Sequence, residues 1–163
     1  TIKPQLYIAN VKENDLPEFG TIIKNKYPEL AGKIVPVCAK IEEEVIGLEG
    51  QELTELLASV GINESGLNQL IRKAYELLGL ITYFTAGPKE VHAWQILSGT
   101  KAPQAAGVIH TDFEKGFIRA EVIGYKDYAA CNGENGAKEK GLLRLEGKEY
   151  IVQDGDVMHF RFS

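Results

Sequence analysis

Ala102-Pro-Gln-Ala-Ala-Gly-Val-Ile-His-Thr-Asp-Phe-Glu-Lys-Gly-Phe-Ile-Arg-Ala-Glu121 is the stretch whose reading decides the fold. Pro103 pre-sets φ for the first turn of a short helix, and Gly107 allows a close backbone approach. His110-Thr111-Asp112 reads as a polar turn, with His110 bonding locally and Asp112 capping the next turn. Gly116 then releases the chain into a strand over Phe117–Ile123.

On either side the same grammar continues over residues 80–163. Ile81–Thr85, Val91–Leu97, Tyr150–Val152 and Val157–Phe162 read as short strands between Gly-rich turns, with two short helical pieces among them. Asp154-Gly155 is a hairpin signal. Met158, Phe160 and Phe162 alternate, which places three large apolar groups on one face of the last strand. The pattern predicts an α+β unit, a small mixed sheet folded around one helix.

Residues 1–79 read differently, as a βαβα run. Leu6–Ala9 is a short apolar run suited to a buried strand, and Asn14-Asp15 can cap a helix carrying Leu16, Phe19, Ile22 and Ile23 on one face. Ile34–Cys38 forms a second strand, with Pro36 tolerable at an edge. A helix over Gln51–Ser59 follows. The clearest helix is Leu67–Leu78, with Ser65 as N-cap and Gly79 as stop. Two strands linked through a helix imply a parallel pair. Parallel sheets are covered on both faces, so this run reads as the tail of a larger α/β domain.

Composition narrows the function classes. The chain has 163 residues, 44% of them hydrophobic and 25% charged, as in ordinary globular proteins. No apolar run approaches the ~20 residues of a membrane span. Two cysteines without a secretory leader read as free thiols in a reducing compartment. The net charge is -5, against the basic footprint that non-specific nucleic-acid binding needs. Residues 1–79 carry 8 basic and 12 acidic groups, and residues 80–163 carry 10 and 11. Any RNA contact therefore falls to a local patch in the second half.

With Tyr83-Phe-Thr-Ala-Gly87 before it and Tyr150-Ile-Val-Gln-Asp-Gly-Asp156 after it, the opening stretch resembles the TGS domain of the YchF (Obg-like ATPase) family. The likeness runs from Pro4 to Phe162. It implies that residues 1–79 are the α/β remnant of a P-loop NTPase G domain and that residues 80–163 are a ubiquitin-like β-grasp (TGS) domain. It also implies a cytoplasmic protein that, when intact, binds and hydrolyses ATP, and GTP less well, with Mg²⁺. Association with ribosomes and translation follows from the same likeness, with neither a membrane partner nor DNA specificity.

Two loops at the carboxyl ends of the strands, where open α/β sheets bind ligands, carry the implied site. Asn10-Val11-Lys12-Glu13 stands where GTPases have N-K-x-D, and Cys38-Ala39-Lys40 where they have S-A-K. Taken alone, Asn-x-x-Glu reads first as a helix-capping turn. The resemblance makes it the family's base-reading loop, with ATP preferred because the longer carboxylate meets guanine differently. Asn10 would brace the loop, the Val11 backbone would meet the base, and Cys38, Ala39 and Lys40 would close its other face.

No Gly-x-x-x-x-Gly-Lys-Ser/Thr loop occurs in the sequence. Phosphoryl transfer depends on that element for positioning and charge, so no hydrolysis is expected of this chain alone. The remaining candidates read as structural. His92, His110 and His159 lie apart in sequence with no ligand spacing, so no metal site is expected. His92 stands where the family usually shows Arg. Asp154 and Asp156 suit the hairpin turn better than a calcium loop, and Cys38 has no neighbouring His to make it a nucleophile. Trp94 reads as core, and Glu42-Glu43-Glu44 as a solvated helix start. For ribosome, RNA or partner contact the candidates are Lys89, His92, Lys101, Lys115 and Arg119, the polar groups near the signature stretch. The alternative is a β-grasp half that docks on proteins, its own G domain or a regulator, without touching RNA.

Overall fold

The computed structural model describes residues 3–87 and 90–163, and it divides into two compact units, Thr1–Leu78 and Gly79–Ser163. In the first unit, strands β1 (Tyr7–Asn10) and β2 (Ile34–Val37) pair in parallel, Asn10 opposite Val37. Helices α1 (Phe19–Lys26), α2 (Ala39–Glu44), α3 (Gly50–Ser59) and α4 (Gly66–Leu78) complete it. The core is small: Leu16, Cys38, Ile41 and Leu57 form one buried cluster. Its apolar residues come from loop, strand end and helices together, so none of these elements is stable alone.

Several expectations for this unit need correcting. β1 is not buried; Tyr7 and Ile8 are exposed, because a two-stranded sheet leaves its outer faces bare. Asn14 and Asp15 cap no helix. They lie in a 3₁₀ turn over Glu13–Asp15, and α1 begins after Glu18 without a side-chain cap bond. Ile22 falls on the exposed side of α1 while Phe19 and Ile23 are buried. α4 fits its sequence signals: the Ser65 hydroxyl accepts from the Asn68 N–H at 3.2 Å, and Gly79 takes φ +65°, the left-handed conformation that ends helices cheaply in glycine.

The second unit is a five-stranded mixed sheet in the order β4-β3-β7-β5-β6, made of β3 (Leu80–Ala86), β4 (Val91–Leu97), β5 (Phe117–Gly124), β6 (Arg144–Glu146) and β7 (Asp156–Phe162). Only β3 and β7 run parallel; the other neighbours are antiparallel. Helix α5 (Ala102–Ile109) lies on one face. Its Ala102, Ala105 and Ala106 are fully buried, and such small side chains let the helix approach the sheet closely. Tyr83, also fully buried, crosses to donate its hydroxyl to the Ala105 carbonyl at 2.8 Å. Its ring meets Phe160 edge-on, centroids 5.9 Å apart.

Here too the local reading is amended. His110, not Asp112, caps α6 (Thr111–Lys115): its Nδ1 accepts from the Asp112 N–H at 3.2 Å. Gly107 is approached by the Glu114 side chain rather than by backbone. Residues 150–152 make an isolated bridge from Ile151 to Lys101 instead of a strand. Asp154-Gly155 therefore turns the chain into β7 without closing a hairpin; Asp154 Oδ1 accepts from the Thr82 N–H at 2.8 Å. Phe162 is not core but stacks on Phe113 at 3.9 Å while remaining exposed. Helices α7 (Tyr125–Ala130) and α8 (Glu134–Glu139) and strand β6 add to the elements anticipated.

Candidate functional site

The parallel pairing of β1 and β2 carries both carboxyl-end loops to one edge of the first unit. Beyond Asn10 the two backbones stay joined, with the Val11 N–H donating to the Val37 carbonyl at 2.9 Å. Glu13 enters its 3₁₀ turn, and Lys40, in the first turn of α2, donates to its Oε2 at 2.9 Å. Lys40 also reaches Glu44 at 3.6 Å. These carboxylates hold the Lys40 ammonium pKa above its ordinary value, the Glu13 hydrogen bond contributing most. Asn10 is exposed and Ala39 opens α2.

Asn10, Val11, Glu13, Ala39 and Lys40 thus gather at one rim. Cys38 does not present its side chain there: it is 5% exposed and packs among Leu16, Ile41 and Leu57, so only its backbone faces the loop. An open apolar groove of about 640 Å³, lined by Ile8, Val37, Val45, Leu53 and Leu70 among others, includes none of the loop residues. Glu42 departs furthest from its sequence reading. It stands in the first turn of α2 as a helix-start acid, but it is half-buried rather than solvated, and its carboxylate accepts from the N–H groups of Gly66 and Leu67 at 2.7 and 3.3 Å. Nothing local in Glu42-Glu43-Glu44 marks one of the three for that task.

The contact candidates of the second unit do not converge. Lys89 lies outside the described residues. His92, on the exposed edge strand β4, packs its ring at a tilt against Trp94, centroids 4.1 Å apart, and bonds Glu90 at 3.2 Å. Trp94 is half-buried against the core and donates to the Thr85 hydroxyl at 2.9 Å. Lys101 is paired with Glu149, and Lys115 closes α6. Arg119 projects from the sheet face opposite the one that carries Tyr83, Ala120 and Phe160, and His92 shares that core-side face with Trp94 and Ile96.

Beside Arg119 stand two residues that sequence reasoning passed over. β5 and β7 pair so that Arg119 faces Arg161 and Glu121 faces His159. The Arg161 guanidinium grips the Glu121 carboxylate with two 3.1 Å hydrogen bonds, which hold the Glu121 pKa below the usual carboxylate range. Glu121, Glu134 and His159 also bring ligand-type atoms within 4.8 Å of one another, a convergence invisible in their sequence spacing. Glu121 already has its charge matched by Arg161 and, at 3.7 Å, by Arg119. The alternation His159-x-Arg161 along the last strand was the available signal.

Fold and loops together define an α/β class: a parallel strand pair ending in two facing loops, joined to a mixed five-stranded sheet with a helix on one face. Within it, residues 80–163 match the family YchF-GTPase_C, described as a protein of unknown function (DUF933), and the chain belongs to that family. It is 58% identical to the ribosome-binding ATPase YchF of Haemophilus influenzae and 55% identical to that of Bacillus subtilis, covering all of this chain and 46% of each relative. The solved Schizosaccharomyces pombe YchF GTPase superposes with TM-score 0.75 at 36% identity, over 98% of this chain and 43% of that one. The chain therefore spans less than half the length of these relatives and corresponds to their C-terminal portion.

Proposed function

We propose that this chain is the C-terminal part of a nucleotide-binding protein of the YchF type. Its first unit would frame the base of ATP, and its second unit would be a ubiquitin-like β-grasp (TGS) module facing the ribosome. The observation that carries this reading is the junction of the Asn10–Glu13 and Cys38–Lys40 loops at adjacent carboxyl ends of parallel strands, joined through Val11–Val37 and Lys40–Glu13.

Base recognition follows from what those loops offer. Guanine presents two donors that a free carboxylate accepts together, and that bidentate contact discriminates strongly. Glu13 is engaged by Lys40 instead, which weakens that selection and suits a site that takes adenine. Backbone groups near Val11 and Ala39 are left to meet the ring. The triphosphate and Mg²⁺ would be held by a phosphate-binding loop of the longer protein, where hydrolysis would occur. This chain's own residues bind and orient the base. In full-length protein, Asn10→Ala should weaken ATP binding about tenfold, the scale of one or two lost hydrogen bonds in a closed site; unchanged affinity by calorimetry would remove the base pocket from these loops.

For the second unit, the names of the relatives favour ribosome association in the cytoplasm. The outward face bearing Arg119 and Arg161 is the surface we assign to it, with Glu121 holding the Arg161 guanidinium in place there. A second reading rests on edge strand β4, where Val91 and Leu97 are 71% and 61% exposed and no Lys, Arg, Asp or Glu interrupts the strand. Such an edge suits pairing with a protein strand. Co-sedimentation with ribosomal subunits over a salt series separates the two. Steep loss with salt marks phosphate contacts, and salt-indifferent binding marks the strand edge.

A further inference from the structure

We propose that Glu42 is a positioning residue for the base-facing loop: by fastening α2 to the start of α4 it fixes where Cys38, Ala39 and Lys40 stand. This inference rests on the nucleotide-binding reading of the two loops. The first N–H groups of a helix have no partners within it, and they carry its positive end. α4 has no acidic residue in its own first turn, and Glu42 supplies the missing acceptor from another helix. Its two oxygens take the N–H groups of Gly66 and Leu67 at 2.7 and 3.3 Å. A charged acceptor makes such bonds stronger than neutral ones.

The junction is also sterically closed. A Cβ on Gly66 would lie 2.7 Å from the Pro36 carbonyl oxygen and 3.0 Å from Val37 Cα, so α4 starts directly against the end of β2. The loop in question leaves β2 one residue later and becomes α2. Within α2, Ile41 is 1% exposed. Its neighbours reach out on either side, Lys40 in a solvent-exposed pair with Glu13 of the other loop and Glu42 to the first N–H groups of α4. Releasing Glu42 would leave the part-buried Gly66 N–H unpaired, hand the exposed Leu67 N–H to water, and let α2 slide along its apolar seat, moving the loop. Glu42 does not touch the nucleotide in this account. It acts through the backbone that does.

The test uses full-length protein and compares ATP with inorganic tripolyphosphate, each with Mg²⁺, by calorimetry. Glu42→Gln should weaken ATP binding about fivefold to tenfold while tripolyphosphate binding stays within about twofold, because only the base side is displaced. Gly66→Ala, which opens the same junction without a charge change, should show the same split. Amide hydrogen exchange of Gly66 and Leu67 in Glu42→Gln should quicken. Equal weakening of ATP and tripolyphosphate would make Glu42 merely structural and overturn the inference. Unchanged ATP affinity in Glu42→Gln, with affinity lost in Asn10→Ala, would overturn it while sparing the base-pocket reading. Unchanged affinity in Asn10→Ala would overturn both.

Discussion

The two units of this chain bury their apolar residues to different degrees. In Gly79–Ser163 one contiguous cluster runs from Tyr83 through the α5 alanines to Met158 and Phe160, and α5 covers one face of the sheet. In Thr1–Leu78 the buried cluster is small. Both units leave large apolar residues exposed, such as Ile8, Leu67 and Ile71 in the first and Val91, Leu97 and Leu145 in the second, but only the second has an extended core beneath them. α4 has the apolar spacing of a core helix, yet two strands provide too little surface to cover it. A unit with an extended core loses a small share of its packing at any one cut, whereas one with a small core depends more on each fastener it has. Substitutions that spare one unit and strike the other test that difference.

Asp156→Ala should have the largest effect. The carboxylate is 3% exposed and accepts from the Tyr150 hydroxyl at 2.7 Å, the Gln153 N–H at 2.9 Å and Arg144 at 3.3 Å. Its loss leaves partners unpaired around a buried site, at a cost of about 3 kcal/mol. Urea unfolding followed by hydrogen exchange should show the second unit's midpoint falling and the first unit's unchanged. If both fall together, the units are not independent. Gly66→Ala comes next, about 2 kcal/mol from overpacking against β2, and should act on the first unit alone.

What was legible in the sequence follows the same division. Helix α5 was readable because local pattern and tertiary burial agree there, whereas strand β4 and helix α4 were readable from local pattern alone, since most of their apolar residues stay exposed. The Ser65 and Gly79 signals were honoured because backbone caps are local chemistry. Residues 150–152 misled because Val152 is buried beside a single bridge from the exposed Ile151 to Lys101, without a ladder. β6, α7 and α8 lacked the length for periodicity to show. That the two loops meet at one rim follows from the parallel strand pair read in the sequence, but the inward turn of Cys38 does not. The Glu42 fastening and the meeting of Glu121 with Glu134 and His159 depend on elements distant in sequence, and no local motif encodes such pairings.

Titration should sharpen the comparison, because the clear shifts with partly buried partners lie in the second unit. Glu121 is depressed, chiefly by the Arg161 hydrogen bond. Its contribution is therefore present above the unfolded value of about 4.3 and is lost as pH falls through the lower folded value. Tyr150 is pushed up to about 12 by burial and then by its bond to Asp156. Its contribution holds below the unfolded value near 10 and is lost as pH rises toward 12. Arg161→Gln should flatten the acid limb of the second unit's stability profile, and Tyr150→Phe should reduce the alkaline limb. An acid limb that survives Arg161→Gln unchanged would point to other carboxylates.

The smallest expected effect sets two residues of one short helix against each other. Lys40 and Glu42 both make charged hydrogen bonds from α2, but the Lys40 side chain is 66% exposed and its partner Glu13 37%. Water and salt screen such a pair, and holding two long side chains together costs entropy that offsets the attraction. The Glu42 oxygens meet backbone N–H groups at a helix end, and among the described residues those groups have no other hydrogen-bond partner. Lys40→Ala should leave the urea midpoint of the first unit within error, whereas Glu42→Gln should lower it. Measured at low and at high salt, the Lys40 variant should differ from the parent, if at all, only at low salt. A clear loss with Lys40→Ala at high salt would mean that α2 is anchored through the exposed loop rim, and that bare apolar surface makes even a solvated ion pair structural in this unit.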